Sequence, residues 1–373
     1  MLYFDNAATT IPSQTALEKA DIFNSEKFFN PSALYLGGLN CSKEIKLAKE
    51  NILRNLRATN HEVIFTSCGS ESDNMAIFCA VKRGTFLTTK GEHSAVYKSF
   101  LELKNRGLSV EFIDLNADGT VNEEKLYDYV KNNKVDFVSI VHVNNETGGI
   151  NDVNKIAKTL KSINKSIVFH ADGVQAYGKI PFTLSQDIDL YSISAHKINA
   201  LKGVGALIKR KNLNISPLIF GGGQENGLRS GTENVFGIKV FDFAGQEKYQ
   251  NLNENYKKAQ LHKSLFVNGL NKDLFVFISN DNCSPYILTI SAKGLRGEVV
   301  MHALENQNVI VGNGSACSSK NRFSRVIENC GYNKDILDGV IRISFSTETT
   351  IAECKQAVEI INNTVQKLKG ILK

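Results

Sequence analysis

The chain has 373 residues, 42% of them hydrophobic and 22% charged, the composition of an ordinary globular protein with room for about two domains. Its formal charge of +6 is spread without any block of like charges, which gives no reason to expect nucleic-acid binding. No apolar run reaches the ~18–20 residues that span a bilayer, and Met1-Leu-Tyr-Phe-Asp5 lacks a basic region or cleavage site, so a cytoplasmic protein without membrane contact is expected.

In chain order, Leu2 to Thr10 begins apolar and turns small and polar, and a helix is predicted from Pro12. Asn30 to Gly38 reads as a loop, because Asn-Pro and Gly-Gly both punctuate. Ile45, Ala48, Ile52 and Leu56 then recur at helical spacing. Val63 to Thr66 is a short strand, followed by the small polar stretch Ser67–Asp73 and an apolar helix over 74–81. A strand, a small polar loop and a helix start together offer free backbone N–H groups to an anion. Taken alone, those serines and the aspartate read equally well as caps.

Further strands are predicted over 85–89, 110–113, 135–143 and 167–172, with a helix from Val153 to about Leu160. The 135–143 run is almost continuously apolar, as a central parallel strand should be. Ile188 to Ile193 alternates and stops at Ser194, and His196 and Lys197 stand where the chain leaves the sheet. Strands alternating with helices over 60–210 predict a doubly wound α/β layer structure. Ser70, His93, Asn145, Asp172 with Gln175, and Ser194-Ala-His-Lys197 all fall just past strand ends. In an open parallel sheet those ends share one edge, where ligands bind. Five such clusters in series predict a site. A desolvated lysine there is uncharged near neutral pH and attacks carbonyls.

Phe220 to Asn234 is a glycine-rich loop without a dinucleotide fingerprint or P-loop, although Arg229-Ser-Gly-Thr232 suits an anion. A composition shift near 248–255 marks a second domain, with strands over 274–278, 286–291 and 309–311 and a helix over 299–304. Cys317 lies in the Gly/Ser-rich stretch after Val311. It is one of seven cysteines, an odd number without a Cys-x-x-Cys pair, so neither a disulfide framework nor a structural zinc is expected. The strand over 340–345 puts Arg342 on the face opposite Ile341 and Ile343, and Thr350-x-x-Glu353 is a capping box for the last helix.

A lysine, an aspartate, a histidine able to stack on a ring and an anion-ready helix start on one edge make pyridoxal 5'-phosphate (PLP) the economical ligand. The motifs that carry this pattern include Tyr3-Phe-Asp-Asn-Ala-Ala-Thr-Thr10, Asn30-Pro-Ser32, Glu-Ser-Asp-Asn74, Glu92-His93 and His142-Val-Asn-Asn-Glu146. They continue with His170-Ala-Asp-x-x-Gln175, Ser194-Ala-His-Lys197, Arg229-Ser-Gly-Thr232, Gly314-Ser-Ala-Cys317 and Ile341-Arg-Ile-Ser344. Together they resemble the cysteine desulfurases of the NifS/IscS type, in the aspartate aminotransferase-like fold superfamily, from end to end.

The resemblance implies an α/β PLP-dependent transferase fold. Residues 14–250 would form a large domain with a mostly parallel, doubly wound sheet. Residues 251–373 would form a smaller α/β domain carrying Cys317, joined by the arm 1–13. Lys197 would hold PLP as a Schiff base, Asp172 would pair with the ring nitrogen, and His93 would stack on the ring. Gln175 and Asn145 would meet the ring oxygen. Gly69, Ser70, Ser194 and His196 would hold the phosphate, with Thr232 reaching in from the partner subunit of a homodimer.

Arg342 would bind the carboxylate of L-cysteine bidentately, with Asn145 and Asn30 as further substrate contacts. From the residues alone, Asn30 serves equally as a loop cap. Cys317 would attack the substrate sulfur, leaving alanine and a persulfide destined for an acceptor protein, either an iron–sulfur scaffold or a tRNA-thiolation enzyme. No resident metal is implied, only a transient iron–sulfur contact at Cys317. Ala195 replaces the family's usual glycine, a change tolerated where φ is negative, and Cys68-Gly-Ser70 stands for the usual Gly-Ala-Thr. The stretch after Cys317 lacks a Glu-Pro, and the chain stops at Lys373 without a docking tail; both bear on the acceptor. Two alternatives are a selenocysteine lyase or other PLP lyase or aminotransferase of the same fold, and a catalytically degenerate interaction protein. Cys317 speaks against a transaminase. Retention of Lys197, Asp172, His93, Cys317 and Arg342 together speaks against a degenerate copy.

Overall fold

The computed structural model describes residues 1–313 and 323–371, so Cys317 lies outside the described residues. The first half runs β1 (Leu2–Phe4), α1 (Gln14–Ala20), α2 (Ile22–Ser25), α3 (Leu36–Asn55), β2 (His61–Thr66), α4 (Gly69–Cys79), β3 (Thr85–Thr89), α5 (Ser94–Asn105) and β4 (Ser109–Ile113). It continues with α6 (Glu123–Asn132), β5 (Phe137–Val141), α7 (Val153–Ile163), β6 (Val168–Asp172), β7 (Leu190–Ser194) and β8 (Gly205–Arg210). Beyond these come α8 (Val235–Gln250), α9 (Leu252–Gly269), β9 (Phe275–Phe277), β10 (Ile287–Ala292), α10 (Gly297–Glu305) and β11 (Val309–Val311). The last are α11 (Arg325–Asn329), α12 (Lys334–Asp338), β12 (Val340–Ser344) and α13 (Ile351–Ile371).

Seven strands form one sheet in the order β2-β8-β7-β6-β5-β3-β4. β8 is antiparallel to both neighbours, and the other six run the same way. Their carboxyl ends therefore share one edge. Every residue of β5 is buried, because helices cover both faces of the sheet. A second apolar core joins Phe4 to Leu288, Ile290, Ile341, Ile343 and the α13 stripe Ala357, Ile361 and Val365. Its sheet has the order β12-β10-β9, while β1 pairs with β11 beside it. The capping box forms: Glu353 Oε2 accepts from the Thr350 amide at 2.8 Å and Thr350 Oγ1 accepts from the Glu353 amide at 3.2 Å.

Two helix starts differ from the expectation. α3 begins at Leu36, so Gly37 and Gly38 lie inside a helix rather than closing a loop. A Cβ on Gly38 would stand 2.4 Å from the Ala33 carbonyl oxygen, so this glycine serves a close backbone approach, not a break. α4 begins at Gly69, which puts Ser70 to Ser72 in its first turn and Asp73 just beyond it, and Glu71 accepts from the Ser67 amide at 2.7 Å.

Candidate active site

Each strand end delivers one part of the site. β7 runs straight into a 3-10 turn, Ala195–Lys197, which aims Lys197 back across the sheet edge. Ala195 is not among the described residues with positive φ, so the β-carbon it carries is accommodated without strain. β6 ends on Asp172, β5 leads to Asn145, and β3 leads through a short turn to His93, which caps α5. These side chains meet in a cavity of about 250 Å³, lined also by Ala7, Cys68, Gly69, Ser70, Asp73, Gln175, Ser194, His196 and Arg342. A larger cleft of about 620 Å³ beside Phe182 and Tyr249 lies elsewhere and, among the described residues, has no lysine, histidine or cysteine in its wall.

Lys197 Nζ donates to the carbonyls of Ala7 and Ala8 at 2.7 and 2.8 Å, so the amino-terminal segment fixes the lysine's direction. Nothing in the local sequence of residues 7 and 8 signalled this, because only their backbone is used. Asp172 accepts from the Val174 amide at 3.0 Å. Burial pushes its carboxyl up to about 6, with that amide and Lys197 pulling the other way. His93 Nδ1 accepts from the Ala95 amide at 3.2 Å, which leaves the ring proton on Nε2. Burial, then Lys197 and Arg325, push His93 down to about 4, so it is neutral. Ligand atoms of Asp73, His93 and Asp172 lie within 4.8 Å of one another. With its proton on Nε2 and Nδ1 engaged, however, His93 has no lone pair to give a cation.

Arg342 is buried, donating through Nη1 to the Asn145 carbonyl and through Nη2 to Asp5, both at 2.7 Å. Its Nε has no partner among the described residues. Gln175 is held at both ends of its amide, by the Ala7 carbonyl at 2.8 Å and by Lys179 at 2.7 Å. Sequence reasoning missed Asp5, Asp73 and Lys179. Asp73 had one available signal, an acid just ahead of an apolar helix.

Two expected site residues, Asn30 and Thr232, do not line this cavity. Asn30 is exposed, and its Oδ1 accepts from the Ser32 amide at 2.9 Å, the loop-cap role. Thr232 is exposed on the loop before α8. Cys317 lies outside the described residues. Arg229 does not wait for an anion either, because Glu71 takes its guanidinium at 2.9 Å.

The cavity wall fits a phosphorylated, ring-shaped anion. Ser194 Oγ is buried and has no partner among the described residues, although it stands at the start of the lysine turn. Beside it the α4 amino terminus comes so close that a Cβ on Gly69 would lie 2.9 Å from Val174 Cγ2 and 3.3 Å from Ser194 Cβ. A glycine, an idle hydroxyl and a helix start together leave room and donors for phosphate.

The model of the aminotransferase class-V family matches residues 2–356. The chain belongs to that family. Its members are PLP-dependent enzymes with this α/β architecture. A cysteine desulfurase of Nostoc sp. strain PCC 7120 is 32% identical across 100% of this chain and 94% of its own. The cysteine desulfurase IscS of Dictyoglomus turgidum is 33% identical across 99% of this chain and 96% of its own. A solved NifS-like protein superposes with a TM-score of 0.91 at 32% identity, covering 98% of this chain and 99% of that one. Among the described residues no helix is long and apolar enough to cross a membrane.

Proposed function

We propose that this class V enzyme is a cysteine desulfurase that binds PLP in the cavity at the strand ends and moves the sulfur of L-cysteine to Cys317. The observation that carries the reading is the convergence of Lys197, Asp172 and His93 on one cavity whose far wall holds the idle Ser194 hydroxyl. PLP, when bound, supplies the electron sink that makes the bonds around an amino acid's Cα and Cβ breakable. Lys197 would hold it and later shuttle protons at Nζ. Asp172 would face the ring nitrogen with a negative charge. His93, neutral and protonated on Nε2, would lie on the ring face. Gly69, Ser70, Ser194 and His196 would take the phosphate, and Gln175 and Asn145 the ring oxygen.

Arg342 would receive the substrate carboxylate, exchanging its contact with Asp5 or using its idle Nε. Cys317 would attack the substrate sulfur, so that an S–S bond forms as the C–S bond breaks and alanine leaves. The persulfide then suits an acceptor such as an iron–sulfur scaffold or a tRNA-thiolation enzyme. A homodimer is supported by large apolar side chains left in water on the segment 28–36 and at Phe220, with Leu34 89% and Phe220 81% exposed. Thr232, on the same exposed loop as Phe220, would then serve the partner's phosphate site.

The test is to supply PLP and L-cysteine with a reductant, and to measure alanine and sulfide from wild type and Cys317→Ala. Equimolar products that vanish in the variant, with the cofactor's absorbance retained, are expected. A PLP-loaded wild type that yields neither product would sink the desulfurase reading and favour another lyase of the fold.

A further inference from the structure

We propose that Asp73 is a positioning residue of this cavity: paired with Asp172, it keeps the one proton the two carboxyls share, so that Asp172 alone offers negative charge to the ring nitrogen of the cofactor. The second half of this statement rests on the PLP reading; the shared proton does not.

Asp73 sits on the buried face of α4, 1% exposed, and its Oδ1 has no hydrogen-bond partner among the described residues. It lines the same cavity as Asp172, their oxygens within 4.8 Å. The groups facing it are Asp172 and His170 from β6, Ser192 from β7, Glu92 and His93 from the turn after β3, and Cys68 at the start of α4. None of them brings a positive charge. His170 stands 3.7 Å away, but burial pushes it down to about 3, and its ring nitrogens already meet Ser139 at 2.8 Å and Ser192 at 2.9 Å.

Two buried carboxylates this close, without a cation between them, cannot both ionise. Asp172 is the better anion, since the Val174 amide donates to it and Lys197 acts on it across the cavity. Burial first and Asp172 second hold Asp73 well above the usual carboxylate range, with the Ser192 hydroxyl only partly opposing them. The proton therefore stays on Asp73, and the pair behaves as one titrating unit with a single charge at neutral pH.

Urea unfolding of the full chain between pH 5 and 7 separates wild type from Asp73→Asn. The folded wild type keeps a proton that the unfolded chain releases. Its folding equilibrium constant is therefore expected to fall about tenfold per pH unit more steeply than that of the variant. Equal slopes would overturn the proposal. Titration with PLP at pH 7, followed by the visible absorbance of the bound cofactor, gives the second readout. Asp73→Asn, a neutral isostere, is expected to keep the wild-type band and a dissociation constant within about threefold, while Asp172→Asn loses about 100-fold. An Asp73→Asn chain as weak as Asp172→Asn would overturn the proposal, for Asp73 would then be acting as a second anion. Should Asp73→Asn fail to fold, Asp73→Ser gives the same two comparisons. Different slopes in chains that take up no PLP at all would uphold the shared proton and overturn the cofactor reading.

Discussion

At the amino ends of the strands, Asp189 is wholly buried and its charge is paired twice: Lys161 reaches one oxygen at 2.5 Å and Arg210 lies 2.6 Å from the other. The Phe169 amide donates to it at 2.8 Å as well, and next door the buried Lys209 pairs with Glu62 at 2.6 Å. At the carboxyl ends of the same strands, Asp73 Oδ1, Glu92 Oε2, Ser194 Oγ and Arg342 Nε are buried with no partner among the described residues. The amino edge pairs its buried charges, although His61 Nδ1, Asp189 Oδ1 and Arg210 Nε there also lack a hydrogen-bond partner, whereas at the carboxyl edge no lysine or arginine pairs with Asp73 or Glu92 among the described residues. Idle buried polar groups destabilise the chain that carries them, and those of Asp73, Ser194 and Arg342 line one cavity, where a ligand would answer them.

The sharpest way to separate the edges is Lys197→Ala. It should lower turnover of L-cysteine by about 10⁴-fold or more while urea stability stays within about 1.5 kcal/mol, since the lysine holds two backbone carbonyls rather than a core. A large loss of stability would mean that the carboxyl edge also holds the fold.

Two acid-to-amide changes should then move stability in opposite directions. Glu92 is wholly buried, and burial pushes its carboxyl up to about 8 against the pull of Thr89 and the Val141 amide. The folded state thus holds a proton that the unfolded state loses above the ordinary value of 4.5, so stability falls as pH rises from there to about 8. Glu92→Gln removes this slope and should stabilise the chain by about 3 kcal/mol at pH 7, read by urea midpoints at pH 5 and 7. Asp189→Asn does the reverse, leaving Lys161 and the partly exposed Arg210 without a counter-charge at a cost of about 2–3 kcal/mol. The same sign for both changes would erase the contrast between the edges.

The sheet and its strand ends were legible because they rest on local signals: continuous apolar runs for buried strands, and polar residues where those runs stop. Lys197, Asp172, His93, Asn145 and Ser194 could be placed on one edge by that logic alone. What escaped it depends on partners far along the chain. Asp5 meets Arg342 across 337 positions, and Lys197 finds Ala7 through the backbone, which no side-chain pattern records. Gly37 and Gly38 misled because a glycine kept for close packing looks, in sequence, like one kept for a turn. Asn30 and Thr232 were assigned from the resemblance, and the monomer alone leaves both in water.

The smallest expected effect is also the most direct reading of an idle group. The Ser194 hydroxyl is buried without a partner, so the cofactor-free chain carries its desolvation with nothing in return. Removing it by Ser194→Ala should leave the cofactor-free chain as stable or about 1 kcal/mol more stable, because an unsatisfied buried hydroxyl is lost along with its cost. The same change should weaken PLP binding by about tenfold, because the hydroxyl's donor is then missing from the phosphate wall. Both halves are needed: urea midpoints of the chain without PLP, and a dissociation constant from the visible absorbance with it. A variant that is less stable without PLP and binds it unchanged would show that Ser194 belongs to the fold, like Asp189 at the opposite edge, and not to the ligand.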